Sequence, residues 1–112
     1  MSKFDEKVTE MLGVMKEKSI ACNQDLFTKV VKALGPSIYN VDSAFVSTSD
    51  KSEVERVKQN FLIKKLGLSE ADDLDGAIKE VAEKMGKSNP RKYRAIFYYL
   101  LAEHFGKLSV YE

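Results

Sequence analysis

Cysteine is nearly absent from this 112-residue chain: Cys22 is the single one, so no disulfide can form within it. One thiol fits a reducing compartment, and the chain is read as cytoplasmic. Proline and glycine are scarce too, 2 and 6 residues, which excludes collagen-like and low-complexity architectures. No basic stretch leads into an apolar one at the start, so no secretory signal peptide is expected. The longest apolar runs, such as 96–102, fall far short of the roughly 20 residues that span a bilayer, which argues against a membrane protein. Nor is there an excess of charge of one sign, since the formal net charge is +1. General electrostatic attraction to nucleic acid or membrane is therefore not indicated.

What is present is 44% hydrophobic and 31% charged residues, a globular composition. At this length one domain is expected, 1–112, burying about two-thirds of its unfolded surface without a covalent staple. Four segments close on an apolar residue and a glycine, with a serine soon after, around Gly35, Gly67, Gly86 and Gly106. Glycine ends helices in the left-handed region, and serine caps new ones. The unequal spacing of these stops argues for shared punctuation chemistry rather than an internal repeat.

Between the stops the apolar residues recur at helical spacing. The pattern predicts helices over about 3–18 (Phe4, Val8, Met11, Leu12, Met15, with Ser2 as cap) and 24–34 (Leu26, Phe27, Val30, Val31, Leu34, capped by Asn23). It predicts two more over 51–66 (Val54, Val57, Phe61, Leu62, Ile63, Leu66) and 70–85 (Ala71, Leu74, Ile78, Val81, Ala82, Met85). Asp50 and Glu53 have capping-box spacing at the start of the third helix. A fifth helix is expected to begin at Asn89-Pro90, with Pro90 at its first position and Tyr93, Ile96, Phe97, Leu100, Leu101 and His104 as its stripe. In the less regular stretch 36–49, one-turn helices are expected at Pro36, carrying Ile38 and Tyr39, and at Asp42, carrying Ala44, Phe45 and Val46. The apolar segment Leu108–Tyr111 is expected to dock back on the domain. With no convincing period-2 run, the fold class is all-α: a single compact domain of about five main helices. The expected core is Phe4, Leu12, Phe27, Val31, Phe61, Leu66, Ile78, Val81, Phe97 and Leu101.

The strings Leu34-Gly35-Pro36-Ser37-Ile38-Tyr39-Asn40, 60–67 (NFLIKKLG) and 84–95 (KMGKSNPRKYRA), with Phe97-Tyr98-Tyr99-Leu100-Leu101, are informative together. On them the chain resembles the bacterial family of domain of unknown function 2853 (DUF2853) over nearly its whole length. The resemblance implies a compact, helical, cytoplasmic bacterial protein and supplies no catalytic or binding residues.

The segment 84–94 holds five basic residues and no acid, and residues 84–112 carry a net +4 against −2 for 51–83 and −1 for 1–50. Gly86-Lys87-Ser88 matches the end of a P-loop, but Val81 stands where the first glycine must be and a helix, not a strand, precedes it. A plain anion site is the sharper expectation. It consists of Lys87, Ser88, Asn89, Arg91, Lys92 and Arg94 around free N–H groups at a helix start. The bland reading is a solvated junction, but cations in a first helical turn oppose the dipole and call for compensation by carboxylates from another helix or by an external anion.

Glu70, Asp72, Asp73 and Asp75 cluster, yet aligning Gly76 to the turn glycine of an EF-hand leaves Ala71 and Ala82 where carboxylates are required. They read as helix-start acids, and no metal or cofactor is expected. His104 has no local nucleophile or ligand spacing, and a Cys22–His104 pair has nothing in the sequence to favour it. Tyr98 and Tyr99 cannot both share the core stripe, so one belongs at the rim, exposed or covered by the docked 108–111 segment. The functional reading is a non-enzymatic protein-interaction module, acting on a partner protein or by self-association. The alternative is an anion or nucleic-acid binder working through the basic junction.

Overall fold

In the computed structural model of the chain the described residues are 3–18, 20, 23–35, 39, 45–46, 50–69, 73–85 and 92–111. Five main helices organise them, and the expected all-α class holds. They are α1 (Lys3–Glu17), α2 (Gln24–Leu34), α3 (Lys51–Arg56, continuing as π-helical turns over Val57–Ile63), α4 (Leu74–Lys84) and α5 (Arg94–His104). A 3-10 turn, Leu108–Tyr111, closes the described chain. The radius of gyration, 13.1 Å, matches the roughly 13 Å of a compact domain of this length.

Helix α5 is the centre. Ala95, Ile96, Phe97, Tyr99, Leu100, Leu101 and Ala102 are all buried, so the helix is apolar on most of its circumference rather than along one stripe. Such a helix must be surrounded. It packs against α2 and α4, and the 3-10 turn also leans on it. His104, expected on the stripe, ends α5 and lies at the exposed surface. Helix α1 contributes Val8, Met11 and Met15 to the core. The expected core members Phe4 and Leu12 are instead half-buried at its edge, while the other eight are fully inside.

The helix starts follow side-chain chemistry. The Asn23 side chain accepts from the Leu26 N–H at 3.2 Å, and Asp73 accepts from the Gly76 N–H at 3.0 Å. Asp50 accepts from the N–H groups of Ser52 and Glu53. The expected capping box is half made, because the Glu53 carboxylate turns to Arg94 and Arg56. At the other ends, Gly67 and Gly106 have φ of +74° and +66°. Lys107 N–H donates to the Ala102 carbonyl and Gly106 N–H to that of Glu103, a Schellman ending.

Two expectations are corrected. Helix α5 begins at Arg94, not at Pro90: Lys92–Tyr93 is extended and pairs antiparallel with Phe45–Val46, in the register Phe45 to Tyr93 and Val46 to Lys92. Phe45 and Val46 are accordingly not helical. A two-residue pairing is too short to leave a period-2 pattern, while Pro90 in a helix-start context mimics a boundary that falls four residues later. Val46 is buried and Phe45 packs on the Tyr93 ring at 4.8 Å, so burial favours the pairing. The second correction is the π-helical run. Lys64 N–H donates to the Gln59 carbonyl and Leu66 N–H to that of Phe61, each five residues back. Val57 and Leu62, and Phe61 and Leu66, are spaced by five and all buried, so the wider turn brings each pair onto the core-facing side. The expectations for Ser2, Cys22, Pro36, Ile38, Asp42, Ala44, Glu70, Ala71, Asp72 and Gly86 lie outside the described residues.

Phe97 is 0% exposed at the middle of α5. Phe97→Ala is expected to cost about 3–5 kcal/mol in chemical denaturation, from lost transfer energy plus the cavity. A loss under about 1 kcal/mol would contradict the central position of α5.

Candidate functional site

Two places in the described structure gather polar chemistry against aromatic surface, and both depend on the first two turns of α5. The first is built on Arg94. As the first residue of α5, its guanidinium sits where the helix dipole disfavours a cation. Its Nη2 is hydrogen-bonded and ion-paired to Glu53 Oε1 and lies 3.5 Å from the Phe45 carbonyl, and its Nη1 donates to Tyr98 Oη at 2.9 Å. The side chains of Arg94 and Glu53 are only 16% and 15% exposed. Burial alone would lower the Arg94 pKa. The interaction with Tyr98 and the bond to Glu53 outweigh it and hold the guanidinium above its ordinary value. The compensation that the sequence called for is thus, at Arg94, a carboxylate from α3.

Of the other expected anion-site residues, Lys87, Ser88, Asn89 and Arg91 lie outside the described residues, and the backbone of Lys92 is in the strand pairing. Next to it, Tyr93 Oη donates to Glu10 Oε2 at 2.9 Å and ties α1 to the start of α5. Among the acids, Asp75 pairs with Lys58 at 3.1 Å, an exposed contact that raises the Lys58 pKa first through that hydrogen bond. His104 Nδ1 is 3.6 Å from Glu80 Oε2, and the ring packs edge-on against Phe105. No group of three or more metal-ligating side chains occurs among the described residues, and no helix of the described chain is long and apolar enough to cross a membrane.

The second place is a cleft of about 200 Å³. Ala33 and Leu34 of α2 form one wall, Asn60 and Phe61 of the π-helical segment the opposite one, with Tyr98, Tyr111 and Lys65 completing the lining. Tyr98 stacks on Phe61 with ring centroids 4.1 Å apart and planes at 14°. The two adjacent tyrosines separate as their 100° offset requires. Tyr99, 1% exposed, turns into the core, meets Phe27 edge-on at 5.8 Å, and accepts the Asn23 N–H at 2.9 Å. Tyr98 stays at the rim. Lys65 Nζ lies 5.3 Å from the centroid of the Tyr111 ring. A larger trough of about 740 Å³ runs beside Lys51, Ser52, Glu55, Arg56, Gln59 and Asn60. Its described lining comes from α3 and its π-helical continuation.

The cleft is closed on one side by the turn Leu108–Tyr111, which docks on α2 and α5 as its apolar sequence suggested. No residue of the turn is fully buried, and Val110 is 41% exposed. Half-burying Leu108 and Tyr111 contributes roughly 2–3 kcal/mol. Fixing four residues of backbone costs roughly 4 kcal/mol or more, and a hydrogen bond and the cation–π contact offset about 1–2 kcal/mol of that. Burial, and then the proximity of Tyr98, raise the Tyr111 pKa far above its ordinary value.

The sequence singled out Tyr98 and the apolar 108–111 segment, but not their meeting with Leu34, Phe61 and Lys65. The spacing of five along 57–66 is the sequence signal that would have found the π-helical wall.

The fold and these contacts define a small all-α protein with a shallow aromatic cleft under a closing turn. The chain belongs to the family described as "Protein of unknown function (DUF2853)", whose family model matches residues 10–109. A comparison with curated proteins finds no match.

Two outcomes follow from this geometry. Arg94→Ala leaves the largely buried Glu53 carboxylate with only the exposed Arg56 as an ion-pair partner, at 3.7 Å, and is expected to destabilise by about 3 kcal/mol, whereas the double change Arg94→Met with Glu53→Met is expected to cost less than the single one. Denaturant titrations of the three chains check this, and additive losses would show the pair to be uncoupled. For Tyr111 the docked state favours the protonated phenol. Its contribution is complete below the ordinary value of 10.0 and is lost as pH rises through the higher docked-state value. Ultraviolet titration of the tyrosines is expected to show a late-ionising phenol that Tyr111→Phe removes.

Proposed function

We propose that this protein binds another protein through the cleft between α2, the π-helical segment and α5, without carrying out chemistry on it. The observation that carries this reading is the size and make-up of the cleft. At about 200 Å³ it falls below the roughly 300–1,000 Å³ of small-molecule sites, yet it suits one anchoring side chain. Its walls are aliphatic and aromatic, with Asn60 and Lys65 adding polar groups, which is the anatomy of an interface hot spot. The role is read as cytoplasmic and bacterial, on the single cysteine Cys22 and the resemblance of the chain to its family.

Asn60 lines the cleft and is exposed, so it can carry a photo-crosslinking side chain in cells; exposed Glu17 of α1 is the control. A discrete cross-linked protein is expected from position 60 and not from position 17. No product from position 60, or the same products from both, would overturn the reading. In that event phosphate or a short oligonucleotide is the next titrant. Amide shifts confined to 86–94 would favour the anion or nucleic-acid alternative through Lys87, Ser88, Asn89, Arg91 and Lys92.

A further inference from the structure

The π-helical segment holds one residue more than the core needs. Val57 and Leu62, and Phe61 and Leu66, are buried five residues apart, whereas an α-helix repeats about every 3.6 residues. With Asn60 taken out, Val54, Val57, Leu62 and Leu66 recur at spacings of three, four and four, an unbroken α-helical stripe. Asn60 itself is exposed. It is the extra residue, and the wider turn is how the helix accommodates it. Short π-helical turns inside helices gather at functional sites.

The extra residue leaves a backbone acceptor open. Lys64 N–H donates to the Gln59 carbonyl at 3.3 Å, and the N–H groups of Lys65 and Leu66 both donate to that of Phe61, at 3.0 and 2.9 Å. Those of Gly67 and Leu68 go to Ile63 and Leu62. The ladder steps from Gln59 to Phe61, and no N–H from Lys64 to Leu68 is donated to the Asn60 carbonyl. Such a carbonyl takes its bond from water or from a ligand. Asn60 is also the residue that lines both the cleft and the trough beside α3. The open acceptor therefore belongs to the shared edge of the two hollows, beside the apolar walls Leu34 and Phe61.

We propose that a partner protein places an apolar side chain in the cleft and donates a main-chain N–H beside that side chain to the Asn60 carbonyl. The assignment rests on the protein-binding reading above and names the partner chemistry for the same cleft. A peptide group is attached next to its own side chain, so an anchor seated in the cleft brings main chain to the rim where Asn60 stands. The donated N–H must be unbonded within the partner, so the segment is extended or a loop rather than the middle of a helix.

The test uses the full isotope-labelled chain and two probes, 4-methyl-N-methylpentanamide and methyl 4-methylpentanoate. They share an apolar branch and a carbonyl, and the ester has an oxygen where the amide has its single N–H. Carbonyl-carbon and amide chemical shifts are the readout. The amide is expected to bind about two- to tenfold more tightly than the ester, the worth of one neutral hydrogen bond, and to move the Asn60 carbonyl-carbon resonance. Asn60→Ala keeps the extra residue and its carbonyl, and is expected to keep the preference. Deleting Asn60 restores continuous α-helical bonding. That chain is expected to retain its helical circular-dichroism signal and to bind the two probes alike.

Equal affinity of the two probes for the unaltered chain, or an Asn60 carbonyl resonance that stays in place, would overturn the proposal. So would the absence of binding by either probe at its solubility limit. A preference that survives the deletion would put the acceptor elsewhere and overturn it too. A deletion chain without helices would show that the fold itself requires the extra residue, and its assignment to the site would fall. The protein-binding reading is decided separately, by the cross-link from position 60, which none of these outcomes alters.

Discussion

Helix α5 is apolar on most of its circumference, and the fold arranges itself around that constraint. Seven of the eleven residues of α5 are buried, so water must be kept from nearly every side at once. Helices α2 and α4 cover two sides, and the strand pairing and the 3-10 turn close against it elsewhere. Tyr99 shows how strict the demand is. Its ring is inside, and its hydroxyl accepts the backbone N–H of Asn23, the residue that also caps α2. One tyrosine thereby ties the position of α2 to the rotation of α5.

That rotation also sets the cleft. With Tyr99 turned inward, Tyr98 comes to the rim and stacks on Phe61. Four residues earlier on the same face, Arg94 reaches both Tyr98 and Glu53 and draws the start of α3 to the start of α5. Such a buried ion pair is a weak source of net stability, because desolvation opposes the attraction, but breaking it is costly. Its effect is to fix a register. The stacked Phe61–Tyr98 pair can serve as a wall only if α3 and α5 keep that register.

Much of the helical framework is legible in the sequence. The run 24–34 could be bounded from Asn23 and Gly35 because capping chemistry is local: a side-chain oxygen or a positive φ acts within three or four residues. The same locality made Asp50 readable as a cap. It failed at Glu53, where a partner forty-one residues away outcompeted the neighbouring backbone N–H. It failed again at Pro90, a plausible start for a helix that in fact begins after Lys92–Tyr93 has paired with Phe45–Val46. The site was less legible. Tyr98 stood out as one of two tyrosines that could not share a face, and cover by the 108–111 segment was one of its two expected fates, but nothing local connects it to Leu34 or Phe61.

By itself the sequence determined the all-α class, the identity of most of the core and several helix ends, since periodicity and capping are short-range properties written residue by residue. Tertiary structure alone decided which tyrosine went inward, that Arg94 spends its charge on Glu53, that 57–63 winds as a π-helix, and that Leu34 and Phe61 join Tyr98 and Tyr111 around one cleft. Each of those outcomes is a competition between partners distant in the chain. It is settled by which arrangement buries α5 while leaving the fewest polar groups without a bond.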